Sequence, residues 1–203
     1  MKRHIILLAL SIAFSGMATA QGSPGSAQQV DLSSGWKMQT GQQENFEKPD
    51  FDDSGWKSIK VGERWESQGY DGYDGIACYR LRVRIPSSIP KGGYNVNGFL
   101  LSLGMIDDRD VTYFNGVQIG RTSAHDAKRK YVIPFDLIKW DSENVIAVRV
   151  NDSSGGGGMY AGPYEIGQVS NILSDHVSIA TENYEIVEVS KLTSPLSRTV
   201  RVN

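Results

Sequence analysis

Cysteine is almost missing from this 203-residue chain: Cys78 stands alone, so no intrachain disulfide can form and stability has to come from packing. Histidine is nearly as scarce. Only His125 and His176 follow the first twenty residues, which leaves few bases to activate a nucleophile. An excess of positive charge is lacking too, with 21 Lys and Arg against 23 Asp and Glu. That balance argues against nucleic acid or an anionic membrane surface as partner. The apolar run from Ile5 to Phe14 falls short of the roughly 20 residues that a spanning helix needs, so an integral membrane protein is not expected. No G-x-S-x-G or G-D-S element is present, no D-x-D-x-D-G loop, and no internal repeat.

What is present begins with a basic start (Met1-Lys2-Arg3-His4), the short apolar run, and Ala18-Thr19-Ala20. This order reads as a secretory signal peptide over residues 1–20, and it predicts a secreted or periplasmic protein. Its removal takes away two basic residues and no acid, moving the formal charge from −2 to −4. Residues 21–29 are small and polar, a flexible leader. One domain is expected over residues 30–168, followed by an extension, 169–203. Within the extension Tyr184–Val189 reads as a strand that either covers a sheet edge or trails into solvent.

The body of the chain is written in period two. Tyr79, Leu81, Val83 and Ile85 alternate with Arg80, Arg82 and Arg84, which predicts a strand with one face on a core and one solvated, charged face. Val111–Phe114 and Val117–Ile119 flank Asn115-Gly116, the strongest short-range hairpin signal, because a type I′ turn needs positive φ at both central residues. Phe99–Leu103, Lys130–Pro134 and Asn144–Val150 complete the strands. Asn144–Val150 is apolar on both faces except at Arg149. One helical turn is expected at Phe135–Trp140. Short strands with turn signals every 8–12 residues and no intervening helices point to an all-β sandwich.

Phe51-Asp-Asp-Ser-Gly-Trp56, Gly75-Ile-Ala-Cys-Tyr-Arg80, Leu103-Gly-Met-Ile-Asp-Asp108, Val111-Thr-Tyr-Phe-Asn-Gly116, Ile119-Gly120, Tyr131-Val-Ile-Pro134 and Asn144-Val-Ile-Ala-Val-Arg-Val150 follow one another in that order. The series resembles the sugar-binding domain of glycoside hydrolase family 2, a galactose-binding-like jelly roll. The version found within sialate O-acetylesterases and β-galactosidase-like proteins is the most similar. The resemblance spans about residues 30–167. Where the family usually has Trp-Tyr-Arg, this chain has Cys78-Tyr79-Arg80. In that family catalysis resides on other domains, so the resemblance implies a non-catalytic carbohydrate-binding module, accessory to glycan degradation, with an exported hydrolase as partner. The alternatives are a structural or protein-interaction jelly roll, and a small hydrolase or esterase.

Sugar binding calls for an aromatic face and planar polar groups at an open loop end. The candidates are Trp65, Tyr70, Tyr73, Asp74, Asp152 and Tyr160, with Gly155–Gly158 offering open backbone beside Tyr160. Tyr73 and Tyr160 are equally compatible with strand-end packing. Trp36, Trp56 and Trp140 are assigned mainly to the core. Asp107, Asp108 and Asp110 read as turn formers whose alternative use is a structural calcium; no other cofactor is expected. Ser123, His125 and Asp126 lie almost in a row, but triad members meet in space rather than in sequence, and a solvated loop is the default. Cys78 is expected to be a small buried residue on a strand.

Overall fold

The computed structural model describes residues 29–91 and 97–168, and the backbone of two further strands at 177–181 and 184–189. The expected signal peptide and nearly all of the expected leader lie outside the described residues, as does the rest of the expected extension. Twelve strands are seen among the described residues: β1 Gln29–Asp31, β2 Lys37–Thr40, β3 Lys57–Ser58, β4 Gly75–Arg84, β5 Gly98–Asp107, β6 Arg109–Phe114, β7 Val117–Thr122, β8 Lys128–Pro134, β9 Glu143–Asp152, β10 Gly158–Gly167, β11 Val177–Thr181 and β12 Tyr184–Val189. They form two six-stranded sheets, ordered β1-β10-β5-β8-β11-β12 and β3-β2-β4-β9-β6-β7. From β4 to β10 the chain changes sheet at every connection except the β6–β7 hairpin, which is the winding of a jelly roll. The expected all-β sandwich is observed.

Alternation sets the interior. Tyr79, Leu81 and Val83 of β4 face Phe99, Leu101 and Leu103 of β5 across a core that also takes Trp36, Ile146, Val148 and Ile166. Full burial of such side chains contributes roughly 1.5–3 kcal/mol each. Strand β4 pairs antiparallel with β9 from Gly75↔Asp152 to Arg84↔Glu143, so these strands form the spine of their sheet. The hairpin turn has φ of 49° at Asn115 and 90° at Gly116, as a type I′ turn demands. Asn115 also donates to Leu137 O and accepts from Val145 N, tying the turn to β9.

The charged face of β4 differs from its sequence reading. Arg82 and Arg84 reach outward, but Arg80 is 1% exposed. Residues 41–56 fold over this face as a lid, and Arg80 holds the lid down. Its Nε donates to Asp53 Oδ2 at 2.8 Å, and its Nη1 donates to the carbonyls of Phe46 and Lys48. Beneath the lid lies a second apolar cluster of Phe46, Cys78 and Ala147, with Phe51, Trp56 and Tyr113 at its margin. This explains why β9 is apolar on both faces. It also moves Trp56 from the main core to the lid, where it packs edge-on against Phe51. Trp36 is in the main core and Trp140 packs on its margin. The expected helical turn appears as a short 3-10 turn, Phe135–Leu137. Strands β11 and β12 extend the first sheet beyond β8, β11 running parallel to it.

Candidate loop-end site

Four connections converge at one end of the sandwich, because β4, β6 and β10 start there while β5, β7 and β9 finish there. They are the segment before β4 (residues 59–74), the β5–β6 turn, the β7–β8 loop and the β9–β10 loop. Arg109 pairs with Asn151, and Asp108 N donates to Asn151 O, so the register of β6 on β9 sets Asp152 beside the Asp107–Asp108 turn.

Asp107, Asp108 and Asp152 each place one carboxylate oxygen within 4.8 Å of the others. The Asp107–Asp108 peptide is cis. Asp108 Oδ2 accepts from the backbone N–H of Ser153 at 3.0 Å and from its hydroxyl, and these bonds hold its carboxyl below the usual range. Asp152 is 1% exposed. Its Oδ1 accepts from Ser154 N at 3.2 Å, while Oδ2 has no hydrogen-bond partner. Burial, then the neighbouring Asp107 and Asp108 charges, push the Asp152 carboxyl up. Burial pushes Asp107 up as well, and Asp108 adds to it. Arg64 approaches from one side, its Nη1 3.8 Å from Asp107 Oδ2.

Asp110 does not join them. It points inward and accepts from Arg129 Nε at 2.9 Å, Thr112 Oγ1 at 2.8 Å and Tyr131 OH at 2.8 Å. Arg129 in turn donates to the carbonyls of Ala124, Ala127 and Asp108. Asp110 is thus the anchor of a buried clamp that fixes the β5–β6 turn and the β7–β8 loop, and its oxygens are committed. Asp152 takes its place in the acidic group. The pairing of β9 with β6 makes that replacement, and no spacing in the sequence signals it.

The aromatic candidates separate in the same way. Trp65 is fully buried and belongs to the core, which corrects its assignment as a sugar platform. Its indole N–H donates to Tyr73 O at 3.1 Å, and its ring packs edge-on against Tyr73. The Tyr73 hydroxyl donates to Ile76 O at 2.6 Å and accepts from Gly41 N at 3.1 Å, so it serves as a strand-end strut. Tyr70 is half-buried against the core, and Asp74 is exposed. Tyr160 is half-exposed; its hydroxyl donates to His125 O at 2.9 Å, and the Arg64 guanidinium lies 5.4 Å from its ring centroid.

The glycine loop is not open backbone at Gly156 and Gly157, although a Cβ at Gly155 would meet nothing within 4 Å. A Cβ at Gly156 would meet Arg64 Nη1 at 1.6 Å, and one at Gly157 would meet the Trp65 ring at 2.1 Å. Gly157 also donates to Glu66 Oε1 at 2.9 Å, and its carbonyl accepts from Trp65 N at 3.2 Å. The space that glycine leaves is filled by the protein's own side chains. Ser123, His125 and Asp126 are all exposed, and no hydrogen bond joins them among the described residues. Cys78 is buried on β4, where burial pushes its thiol up to about 11. A separate concavity of about 300 Å³ lies on the outer face of the first sheet, lined by Ser102, Lys128, Pro163 and Glu165 among others, with no aromatic ring. No helix among the described residues is long and apolar enough to cross a membrane.

No family model matches the chain, and no curated protein matches it in sequence. Its architecture does match solved structures. A β-glucuronidase of Bacteroides uniformis is 24% identical over 68% of this chain and 17% of its own, with a TM-score of 0.56. A glycosyl hydrolase family 2 member from Bacteroides cellulosilyticus is 19% identical over 66% of this chain and 20% of its own, at 0.55. A Ruminococcus gnavus β-glucuronidase is 19% identical over 61% and 21%, at 0.51. The chain thus spans only about a fifth of the length of these proteins, and it has the fold of one all-β portion of them.

Proposed function

We propose that the chain is an exported, non-catalytic carbohydrate-binding module, accessory to glycan degradation, that engages glycan at the loop end. The observation that carries this reading is Tyr160, a half-exposed ring with the Arg64 guanidinium over one face, next to the Asp107–Asp108 turn. A ring face for sugar C–H groups beside planar donors and acceptors for hydroxyls is the minimum a sugar site needs. The shared fold with parts of family 2 hydrolases supports it. Against catalysis stands the burial of Asp107 (8% exposed) and Asp152 (1%), which leaves no room for a glycosidic bond between them. The acidic rim favours neutral, galactoside-like glycans over anionic ones.

Calorimetric titration and a glycan array, with galactosides and plant and host glycans, test it. Tyr160→Phe should bind like the wild type, whereas Tyr160→Ala should lose about tenfold, the scale of one aromatic contact. No binding across the panel by folded protein would sink the reading. Sugar binding unchanged in Tyr160→Ala would move the site away from the loop end. A second reading has an observation of its own: Trp65 is buried and Tyr73 is a strut, so a jelly roll that contacts protein rather than sugar fits those residues. Co-purification of an exported partner, together with silence on the glycan panel, would favour it.

A further inference from the structure

The carboxylates of Asp107, Asp108 and Asp152 pose an electrostatic problem that the chain does not solve by itself. Three acids share a space 4.8 Å across, and among the described residues the ion pair made to them is that of the half-exposed Arg64, at 3.8 Å from Asp107. A buried carboxylate oxygen without a partner is rare and unfavourable. Asp152 Oδ2 is such an oxygen, on a side chain 1% exposed. The Ser153 and Ser154 amides fix the orientation of Asp108 and Asp152 without neutralising them.

We infer that Asp107, Asp108 and Asp152 form a site for a hard divalent cation of the calcium class, which pins the β5–β6 turn to the start of the β9–β10 loop. The dimensions fit. Calcium holds oxygens at about 2.3–2.6 Å, so two ligands on opposite sides of one ion stand roughly 4.6–5.2 Å apart. The chemistry fits as well: all three donors are carboxylates, with neither the imidazole nor the thiolate that would favour zinc or copper. Three carboxylates outnumber the one cation ion-paired with them, an imbalance that a divalent ion relieves. Asp110, bound to Arg129, takes no part. The site stands whether or not sugar binds beside it.

The test uses the full chain, stripped with a chelator and then titrated with calcium chloride, followed by thermal unfolding and by calorimetry. At about 100 times Kd, calcium should raise the melting temperature by ~5–10 °C. Asp108→Asn and Asp152→Asn should each abolish most of that rise, while Asp74→Asn, in an exposed neighbouring acid, should keep it. In chelator the order should reverse, with Asp152→Asn melting at or above the wild type because one repelling charge is gone. No calorimetric heat and no shift at millimolar calcium would overturn the assignment. So would a shift that survives in both Asp108→Asn and Asp152→Asn.

Discussion

Replacing Gly157 by alanine adds one methyl group where the loop end packs against the buried Trp65 ring. The new Cβ would stand 2.1 Å from Trp65 Cζ2 and 2.7 Å from Asp152 Oδ2. Carbon atoms in contact prefer about 3.5–4.0 Å, so the indole has to retreat by roughly 1.4 Å or the loop has to lift. Trp65 has nowhere easy to go, since it is fully buried and its N–H is held by Tyr73 O at 3.1 Å. Overpacking of this kind costs about 1–3 kcal/mol, and losing the indole hydrogen bond adds about 0.5–1.5. A total near 3 kcal/mol lowers the melting temperature by roughly 6–12 °C for a domain of this size. Two control variants separate sterics from backbone strain. Gly55→Ala has nothing within 4 Å and an ordinary φ, so its change should stay within about 0.5 kcal/mol. Gly155→Ala also meets nothing, but φ is +93°, so it should lose about 1–2 kcal/mol from conformation alone. Urea unfolding followed by tryptophan fluorescence and circular dichroism gives the three values. A Gly157→Ala protein as stable as Gly55→Ala would refute the view that Trp65 fills the glycine loop.

Asp53→Asn should destabilise the protein by about 3–5 kcal/mol, because it leaves Arg80 buried with no counter-charge; chemical denaturation reads this directly. Burial alone would raise the Asp53 carboxyl, but hydrogen bonds from Arg80 and Lys37 and the Arg82 charge more than offset it and hold it below the usual range. A depressed folded pKa stabilises above the unfolded value of about 3.9 and loses that contribution as pH falls through the folded one. The wild type should therefore lose stability on acidification below about pH 5 more steeply than Asp53→Asn does; parallel acid titrations would contradict the assignment. Cys78, with its thiol pushed up to about 11, should react with a disulfide reagent at pH 8 at least a hundredfold more slowly in the native state than in urea. Native and denatured rates within a factor of ten would show that the lid over it is open.

Local pattern carried most of the fold. The alternation of Tyr79, Leu81 and Val83 with arginines, the Asn115-Gly116 turn and the doubly apolar Asn144–Val150 run each dictate their strand or turn through backbone sterics and burial, which act over a few residues. The ordered motifs were enough for the jelly-roll expectation, which the two sheets and the shared architecture bear out. The sequence alone could not say which side chains the closed sandwich would consume. Arg80 looks like Arg82 and Arg84 in period two, yet the lid at 41–56 buries it, because Asp53 and two carbonyls arrive from 27 to 34 residues away. Trp65 looks like a loop aromatic, and Gly157 like open backbone, until the indole is seen to fill the space beside that glycine. Asp110 sits beside Asp107 and Asp108 in sequence but is claimed by Arg129, while Asp152 joins them from another strand through the register of β9 on β6. Strand and turn identity are short-range properties, whereas the site depends on long-range pairing, which only the tertiary structure decides.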